Sequence, residues 1–478
     1  MKIFIKWLKK TGVFVLASLS FLSGCDEDKP KDNILITYSY FDGPWITLNS
    51  AGNDGCSITI NYTTPEDLTG KVFWGITEGL ENTSSDTVIS RVHHVILNDL
   101  IPGQKYFYAV DGDPSGETYS FTAPFSGLES NSIRFAVVGD IQPENQDMID
   151  NALMVSDTIV GEQIDFWVQL GDLVYRGSSE PLFHNSLQVL RNSSSSIPMT
   201  AVMGNHDKQY DAGRNWSNAM PFSFNETGLQ QQCYYYSNSI GGVLMIYLDS
   251  NCLSDSSGER QLLWLDELLQ NRTELWTFVF LHDSIISSGM ENIPWENTSR
   301  LLPVFDRYAV DAVFYGHDHM YEHYFYQYGE NGYLFSDDHN WEHNRVHYFL
   351  SGGGGANLES EYGITGRFPF STSRVHYNTV SNDWETLTFG TTSWNASRYI
   401  SWADDSFSPG SHLYYHDPDI EIYQQESVFF GLDYGENTLH YIIVDVNGNS
   451  CTITVMYPDS QVLSGPEKLK PQSFTISK

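Results

Sequence analysis

Five hydrophobic segments of this chain each end in Asp, Asn or His, and this repeated pattern limits the fold more than any other feature. Each segment has the length and the apolar composition of a buried strand. The five ends read Val138-Gly139-Asp140, Leu170-Gly171-Asp172, Met203-Gly204-Asn205-His206, Leu281-His282 and Tyr315-Gly316-His317-Asp318-His319. One such end is commonly only a turn, but five in order, at the spacing of βαβ units, predict an α/β sheet with one polar edge.

The side chains at these ends are suited to metal binding. Carboxylate, amide and imidazole groups without thiolate favour hard or borderline metals such as Fe, Mn and Zn. In open α/β sheets, ligands bind in the crevice at the carboxyl ends of the strands. We therefore expect these side chains to converge on one metal-binding crevice.

The negative net charge of the chain limits the classes of ligand that the protein can bind. The formal net charge is -35, from 60 acidic and 25 basic residues. A body this acidic repels nucleic-acid backbones, so we expect no nucleic-acid partner. A phosphate-binding site in such a protein needs positive charge supplied locally, and metal cations would supply it.

The five motifs together resemble those of the purple acid phosphatases, which belong to the calcineurin-like dinuclear metallophosphoesterases. The matching residues are Gly139-Asp140, Gly171-Asp172-x-x-Tyr175, Gly204-Asn205-His206-Asp207, Val279-x-x-His282 and Gly316-His317-x-His319. The resemblance implies an α/β catalytic domain over residues 131–478, built as an αββα sandwich. It also implies a preceding all-β domain of the fibronectin type III kind over residues 36–126, where residues 97–108 are similar to a tyrosine-corner region.

The resemblance further implies two metal ions, Fe(III) with Fe, Zn or Mn. The first would be held by Asp140, Asp172, Tyr175 and His319, and the second by Asp172, Asn205, His282 and His317. Asp172 would bridge the two ions, because a carboxylate has two oxygen atoms. A water between the ions would lose its proton and become the nucleophile. His206 would face the substrate, stabilise the developing charge and protonate the leaving oxygen.

Two positions near the first metal leave alternatives open. Gln142 stands where many metallophosphoesterases have a His ligand, and Tyr175 is offered as a replacement. A phenol titrates near about 10, so only a strongly acidic metal such as ferric iron would hold it as phenolate. The alternative for Tyr175 is a core aromatic residue. Arg176 resembles the phosphate-clamping Arg of the protein-phosphatase branch, and a solvated loop Arg is the alternative.

The function that we expect from these residues is an exported, acid phosphatase-like phosphomonoesterase that acts on a small phosphorylated substrate. A phosphodiesterase with the same two metals is the alternative, because the chain departs from the family at Asp283 and His323, which leaves the substrate preference open. A non-enzymatic binding protein with an inactive site would need a missing ligand, and all seven ligand positions are filled.

The N-terminal residues predict export. Four Lys residues precede an apolar run over residues 13–22, which ends in Leu22-Ser23-Gly24-Cys25. This pattern is typical of a secretory signal over residues 1–24, and its end resembles a bacterial lipobox with Cys25 as the lipidated first mature residue. Residues 25–35 would then be a tether, and the protein a membrane-anchored lipoprotein on the periplasmic face or the cell surface. An ordinary cleaved signal with an incidental Cys is the alternative.

Several smaller features are also predicted. Helices are expected over residues 147–158 and 258–272, and hairpins over residues 234–247 and 439–457. A polar, aromatic insertion over residues 357–427 either covers the metal crevice or forms a surface subdomain. Cys56, Cys233, Cys252 and Cys451 allow three connectivities, and no disulfide is assigned.

Overall fold

The computed structural model describes residues 36–49, 56–124, 132–222, 224, 233–253, 256–285, 287, 300–301, 304–305, 307–326, 346–358, 373–378, 383–388, 430–436, 439–458 and 472–478. The predicted signal, Cys25 and the tether lie outside these ranges, as does most of the predicted insertion. Within the described part of the chain, no helix is long and apolar enough to cross a membrane.

Strands occur along the whole of the described chain, and the helices lie mainly in its middle third. The strands are β1 Trp45–Leu48, β2 Cys56–Gly75, β3 Asn82–Leu100, β4 Lys105–Val110, β5 Tyr119–Thr122, β6 Ser132–Val138, β7 Phe166–Gln169, β8 Met199–Ala201, β9 Tyr236–Ile240, β10 Val243–Tyr247, β11 Trp276–Phe280, β12 Ala312–Tyr315, β13 Tyr321–Tyr326, β14 Val346–Ser351, β15 Ser373–Asn378, β16 Asp383–Thr388, β17 Phe430–Glu436, β18 Tyr441–Asn447, β19 Ser450–Met456 and β20 Gln472–Ser477. The helices are α1 Gln146–Gly161, α2 Glu180–Ser194, α3 Asn205–Lys208, α4 Arg214–Ala219 and α5 Ser256–Asn271, with a 3-10 turn over Ser250–Cys252.

These strands form two sheets, each with a parallel centre. In the first sheet the order is β20-β19-β18-β6-β7-β8-β1-β2-β4-β5, with β3 paired to β2. In the second the order is β16-β15-β17-β13-β14-β12-β11-β10-β9. The neighbours β6, β7 and β8 run parallel, as do β10, β11, β12 and β14. Parallel strands are covered on both faces, which explains why these segments are almost wholly apolar.

The two sheets pack face to face, with helices on their outer faces. Phe135 of the first sheet stacks on Phe166 and lies 6.0 Å from Phe278 of the second, measured between ring centroids. Apolar residues of α1 join the core of the first sheet, and Leu265 and Leu269 of α5 join that of the second. The α/β arrangement is the layered one that the sequence predicts, and it places the carboxyl ends of both parallel centres together.

The N-terminal region is all-β, and it is continuous with the first sheet. Thr47 of β1 pairs in parallel with Met199 of β8. The Trp45 indole N–H also donates to the Ala219 carbonyl at 3.1 Å. The Tyr106 hydroxyl accepts from the Ile101 N–H at 3.0 Å, which is the contact expected of a tyrosine corner. The fibronectin type III identity of this region stays a prediction, and its first strand is part of the catalytic sheet.

Most predicted local elements are present, and one long helix was not predicted. The helices predicted over 147–158 and 258–272 correspond to α1 and α5, and the two hairpins to β9–β10 and β18–β19. The helix without a prediction is α2. Within the predicted insertion, β15 and β16 extend the edge of the second sheet through β17, and the rest lies outside the described residues.

One disulfide, which the sequence left unassigned, joins Cys233 to Cys252, whose Cα atoms are 5.7 Å apart. In the β9–β10 hairpin Tyr236 pairs with Tyr247, so continuing the register would place residue 250 opposite Cys233. The 3-10 turn at Ser250–Cys252 brings Cys252 back to that position. Cys56 and Cys451 are free and buried.

Candidate metal centre

Six of the seven predicted ligands converge where the two sheets meet. Asp140, Asp172 and Asn205 follow β6, β7 and β8, while His282 follows β11 and His317 and His319 follow β12. The Asn205 Oδ1 atom lies 2.9 Å from His282 Nε2 and 3.2 Å from His317 Nδ1. Asp172 Oδ2 is 3.4 Å from His282 Nε2, and Asp140 Oδ1 is 3.6 Å from His319 Nε2. The predicted convergence of strand ends is therefore present as one cluster.

The backbone at these strand ends is held in the left-handed region. Asp140, Asp172 and His317 have φ angles of 60°, 55° and 80°. For residues with a side chain this conformation costs on the order of 1 kcal/mol or more each, and it recurs at functional sites. The sharp turns bring the functional groups into the crevice instead of letting them continue along the strand.

Glycines beside these residues make the close approach possible. Gly171 has a φ of 93°, and a Cβ there would lie 2.5 Å from the Nδ1 atom of His282. A Cβ on Gly316 would lie 2.3 Å from Asp140 Oδ2. Space therefore requires glycine at both positions, and at Gly171 the left-handed turn requires it as well.

Asp172 is the hub of the cluster. Its Oδ1 atom accepts from the His206 N–H at 3.0 Å, and its Oδ2 atom accepts from the Gln142 side-chain amide. Burial opposes ionisation, but the adjacent His282 imidazole outweighs it and holds the pKa of Asp172 below its usual range. For Asp140, burial and the neighbouring charge of Asp172 raise the pKa well above its usual range. Two buried carboxyl groups therefore compete for the same positive charge.

The donor set fits a metal ion. His282 Nδ1 donates to the Leu170 carbonyl at 2.8 Å, and His319 Nδ1 donates to the Asn357 carbonyl at 2.6 Å. A ring protonated at Nδ1 presents a lone pair at Nε2, and such a backbone contact is the usual way to orient a metal-binding imidazole. The His282 Nε2 atom faces the oxygens of Asn205 and Asp172, and either a second ring proton or a metal ion fits between them. Asp140, Asp172 and His282 also form a group with spacing suited to a metal.

His206 lies next to this cluster, at its open side. Its Nδ1 atom donates to the Tyr175 carbonyl at 2.8 Å, and its ring stacks on the Tyr175 ring with centroids 4.9 Å apart. Its backbone N–H is held by Asp172. These contacts fix the imidazole from three directions and leave Nε2 as the nitrogen available to a substrate.

Tyr175 and Arg176 lie at the rim of the crevice. The Tyr175 side chain is 36% exposed and lies against His206. The Arg176 guanidinium lies 5.4 Å from the ring centroid of Tyr210, which is itself exposed. Their predicted roles as a metal ligand and a phosphate clamp stay predictions.

Asp207 is a functional residue that was not predicted from the sequence. Its buried carboxylate accepts from the Val174 N–H at 3.0 Å and the Gly204 N–H at 2.9 Å, and so joins the loops that follow β7 and β8. Burial, followed by the charge of Asp172, raises the pKa of Asp207 to about 7. The signal was present in the sequence, because Asp207 directly follows Asn205 and His206 in the motif.

The disulfide-linked turn also contacts the site loops. The Asn251 amide donates to the Met203 carbonyl at 3.2 Å, and the Lys208 ammonium donates to the Asn251 carbonyl at 3.2 Å. Met203 and Lys208 flank the Asn205–His206 pair. The turn after β10 of the second sheet therefore supports the loop after β8 of the first.

Comparisons with known proteins agree with this geometry. The calcineurin-like phosphoesterase family, Metallophos, matches residues 133–321, which contain the ligand positions. Purple acid phosphatase 21 of Arabidopsis thaliana is 28% identical over 249 residues, covering 48% of this chain and 53% of that protein. Uncharacterized protein Rv2577 of Mycobacterium tuberculosis is 28% identical over 316 residues, 58% of each chain. This chain thus spans little more than half the length of these relatives.

Solved structures show the same fold at low identity. The purple acid phosphatase PPD1 from yellow lupin seeds has a TM-score of 0.59 at 16% identity, covering 91% of this chain and 74% of that one. A structure of PhoD has a TM-score of 0.57 at 11% identity, covering 93% and 92%. Residues 133–321 therefore match the calcineurin-like phosphoesterase family, whose members are hydrolases that act on phosphoric esters, and purple acid phosphatases are among the relatives of this chain.

Proposed function

We propose that this protein is an exported, metal-dependent phosphomonoesterase that hydrolyses small phosphate esters. The observation that carries the proposal is the buried cluster in which oxygens of Asp140, Asp172 and Asn205 face the imidazoles of His282, His317 and His319. Monoester hydrolysis is supported by the names of the relatives, which are purple acid phosphatases.

Two metal ions would be held at this cluster. Asp140, Asp172 and His319 would contribute to the first site, and Asp172, Asn205, His282 and His317 to the second. When bound, the ions would supply positive charge for the phosphate and lower the pKa of water. The identity of the first metal depends on whether the Tyr175 phenol or the Gln142 amide completes its ligands.

The protein's own groups then do the positioning and the proton transfer. The Tyr175 carbonyl fixes the proton on His206 Nδ1, so the protonated ring can donate from Nε2 to the leaving oxygen. Asp172 holds the backbone of His206, and Asp207 holds the loops on both sides. Because the net charge of the protein is -35, bound metal ions would supply the positive charge that attracts a phosphate to the crevice.

The test is a comparison of two substrates with one enzyme preparation. The protein, reconstituted with Fe, Zn or Mn, should hydrolyse p-nitrophenyl phosphate faster than bis(p-nitrophenyl) phosphate, and chelation should abolish both activities. Faster hydrolysis of the diester would favour the phosphodiesterase alternative. No hydrolysis of either ester by a preparation that binds metal would contradict an enzymatic role.

Export through a lipid anchor on Cys25 belongs to the same proposal, and the motif Leu22-Ser23-Gly24-Cys25 carries it. The Cys233–Cys252 disulfide supports an oxidising compartment. Cys25→Ala should move the protein from the membrane fraction to the soluble fraction. Unchanged partitioning, with no lipid on the mature N-terminus by mass spectrometry, would contradict the anchor.

A further inference from the structure

Two side chains compete to complete the first metal site. The sequence pattern offers Tyr175, three residues after Asp172, and Gln142, two residues after Asp140. Both could reach a metal from their loops, but they are placed very differently. The difference decides the charge at the site and hence the metal that it selects.

Gln142 lies inside the cluster. Its side chain is buried, with 2% of the residue exposed, and its amide donates to Asp172 Oδ2. Its backbone N–H also donates to the Asp172 carbonyl at 3.3 Å, so the main chain and the side chain of Gln142 are both held against Asp172. With its nitrogen directed to Asp172, the amide has a carbonyl oxygen left to offer as a neutral oxygen ligand.

Tyr175 lies outside the cluster. Its side chain is 36% exposed, and its ring stacks on His206 with the two planes 24° apart. Its carbonyl accepts from the same imidazole. Among the described residues, no hydrogen bond joins the Tyr175 hydroxyl to Asp140, Asp172 or His319. Both the ring and the backbone of Tyr175 are therefore used to hold His206.

We propose that Gln142, rather than Tyr175, supplies the remaining protein ligand of the first metal, and that Tyr175 is a positioning residue for His206. This inference rests on the metal centre of the proposed function. The first site then contains Asp140, Asp172, His319 and a neutral amide, with no phenolate. With one anionic ligand fewer, the site favours a divalent ion over Fe(III). Without phenolate bound to ferric iron, the loaded protein has no colour from that bond.

The experiment measures metal content and visible absorption, so it does not depend on turnover. Wild type, Gln142→Leu, Gln142→His and Tyr175→Phe are each loaded with Fe, Zn or Mn and analysed for metal per chain. Wild type and Tyr175→Phe should bind two ions, and Gln142→Leu should bind one. Gln142→His should keep two ions and bind Zn²⁺ more tightly than wild type, because imidazole is a stronger ligand for zinc than an amide.

Activity measurements further separate the role of a metal ligand from that of a residue that positions His206. Tyr175→Ala removes the ring that stacks on His206, whereas Tyr175→Phe keeps it, so kcat should fall further in the Ala variant than in the Phe variant, with KM little changed and both metals bound. A residue that only stabilises the fold would not lower kcat in protein that is folded and loaded with both metals.

Two results would overturn the inference while leaving the metal centre intact. One is a Gln142→Leu protein, folded by circular dichroism, that still binds two ions. The other is a broad visible band in the iron-loaded wild type that Tyr175→Phe abolishes. A wild type that binds no metal under any of these conditions would instead overturn the metal centre itself, and the inference with it.

Discussion

The two sheets contribute different chemistry to the same site. The first sheet supplies oxygen ligands, through Asp140, Asp172 and Asn205, while the second supplies imidazoles, through His282, His317 and His319. The residues of the first sheet, the acidic half of the site, carry the negative charge that attracts a cation. The residues of the second sheet, the imidazole half, are neutral when they bind one. Neither sheet has the complete set of predicted ligands, so the candidate metal site is assembled where the sheets pack together.

Groups from each half also help to hold the other, and left-handed turns occur in both halves, since His317 has one as well. Asp140 and Asp172 sit on left-handed turns after their strands and are held by N–H donors, including those of His317 and His206. His282 needs no such turn, because its ring is fixed by the Leu170 carbonyl of the opposite sheet. Each half is therefore oriented in part by groups from the other. A substitution in one half should accordingly change the geometry of the other half.

The largest effect is expected from Asp172→Asn, which removes a carboxylate that contacts residues of both halves. Activity should fall on the order of 10³-fold or more, and the content of both metals should fall, because the bridging charge is lost. Metal analysis and turnover of p-nitrophenyl phosphate measure this. Asp165→Asn is the matched control, since Asp165 precedes β7 at its opposite end and binds the Arg134 N–H at 2.8 Å. Two metals and near-normal turnover in Asp172→Asn would show that the halves do not share this ligand.

His282→Ala tests the imidazole half alone. It should lose the second metal and keep the first, and turnover should fall on the order of 10²-fold or more. His347, on β14 of the same sheet, gives the control variant His347→Ala, which should keep both metals. If His282→Ala instead lost both ions, the two halves would bind their metals cooperatively and not as separable sites.

Gly171→Ala tests the contact between the halves without removing a ligand. The new Cβ would lie 2.5 Å from His282 Nδ1, and the φ of 93° is unfavourable for Ala, so the free energy of unfolding should fall by about 2–4 kcal/mol. Gly448→Ala is the control, since Gly448 has a φ of 57° and nothing within 4 Å. It should lose only about 1 kcal/mol in denaturant titrations. Equal losses in the two variants would mean that the steric contact with His282 is relieved cheaply.

The smallest effect concerns a hydrogen bond that joins the sheets away from the site. The Trp276 indole N–H of β11 donates to the Gly448 carbonyl, in the turn between β18 and β19, at 2.8 Å. Trp276→Phe should destabilise the protein by about 1 kcal/mol more than Trp216→Phe, with turnover unchanged in Trp276→Phe. Trp216 is equally buried, and its indole N–H has no partner within the described part of the chain. A difference near zero between the two variants would show that this bond does not stabilise the packing of the sheets.

The predicted oxygen and imidazole ligands could be proposed from the sequence because they follow shortly after five strands, with His317 and His319 sharing the last one. Strand ends are encoded locally, by an apolar run and a glycine, and the parallel topology brings such ends together. Other local patterns, apolar periodicity and turn residues, predicted α1, α5 and both hairpins. Helix α2 was not predicted from the sequence because some of its buried positions are Ser, including Ser186 and Ser193, which weakens its apolar periodicity.

Features that depend on distant contacts could not be found in this way. Strand β1 is short, and its pairing with β8, which lies far along the chain, joins the N-terminal strands to the first sheet. The Cys233–Cys252 bond depends on a 3-10 turn that a hairpin register does not reveal. Likewise the positions of Gln142 inside the cluster and Tyr175 at its rim follow from how two loops pack around Asp172, and spacing alone, which favoured Tyr175 as the ligand, does not reveal them.

The Cys233–Cys252 bond has a consequence for how the chain matures. Cys233 is fully buried and Cys252 is 1% exposed, so redox enzymes cannot reach the closed bond in the folded protein. Disulfides of this kind form in oxidising compartments and are rarely kept in reducing ones. A chain folded in a reducing cytosol would instead bury two thiols beside Asp249, with the Asn251 turn supporting the Asn205 loop less firmly. Recombinant protein made in the cytosol and in the periplasm could therefore differ in metal occupancy while having the same sequence, and the thiol titre of a preparation would tell which of the two had been purified.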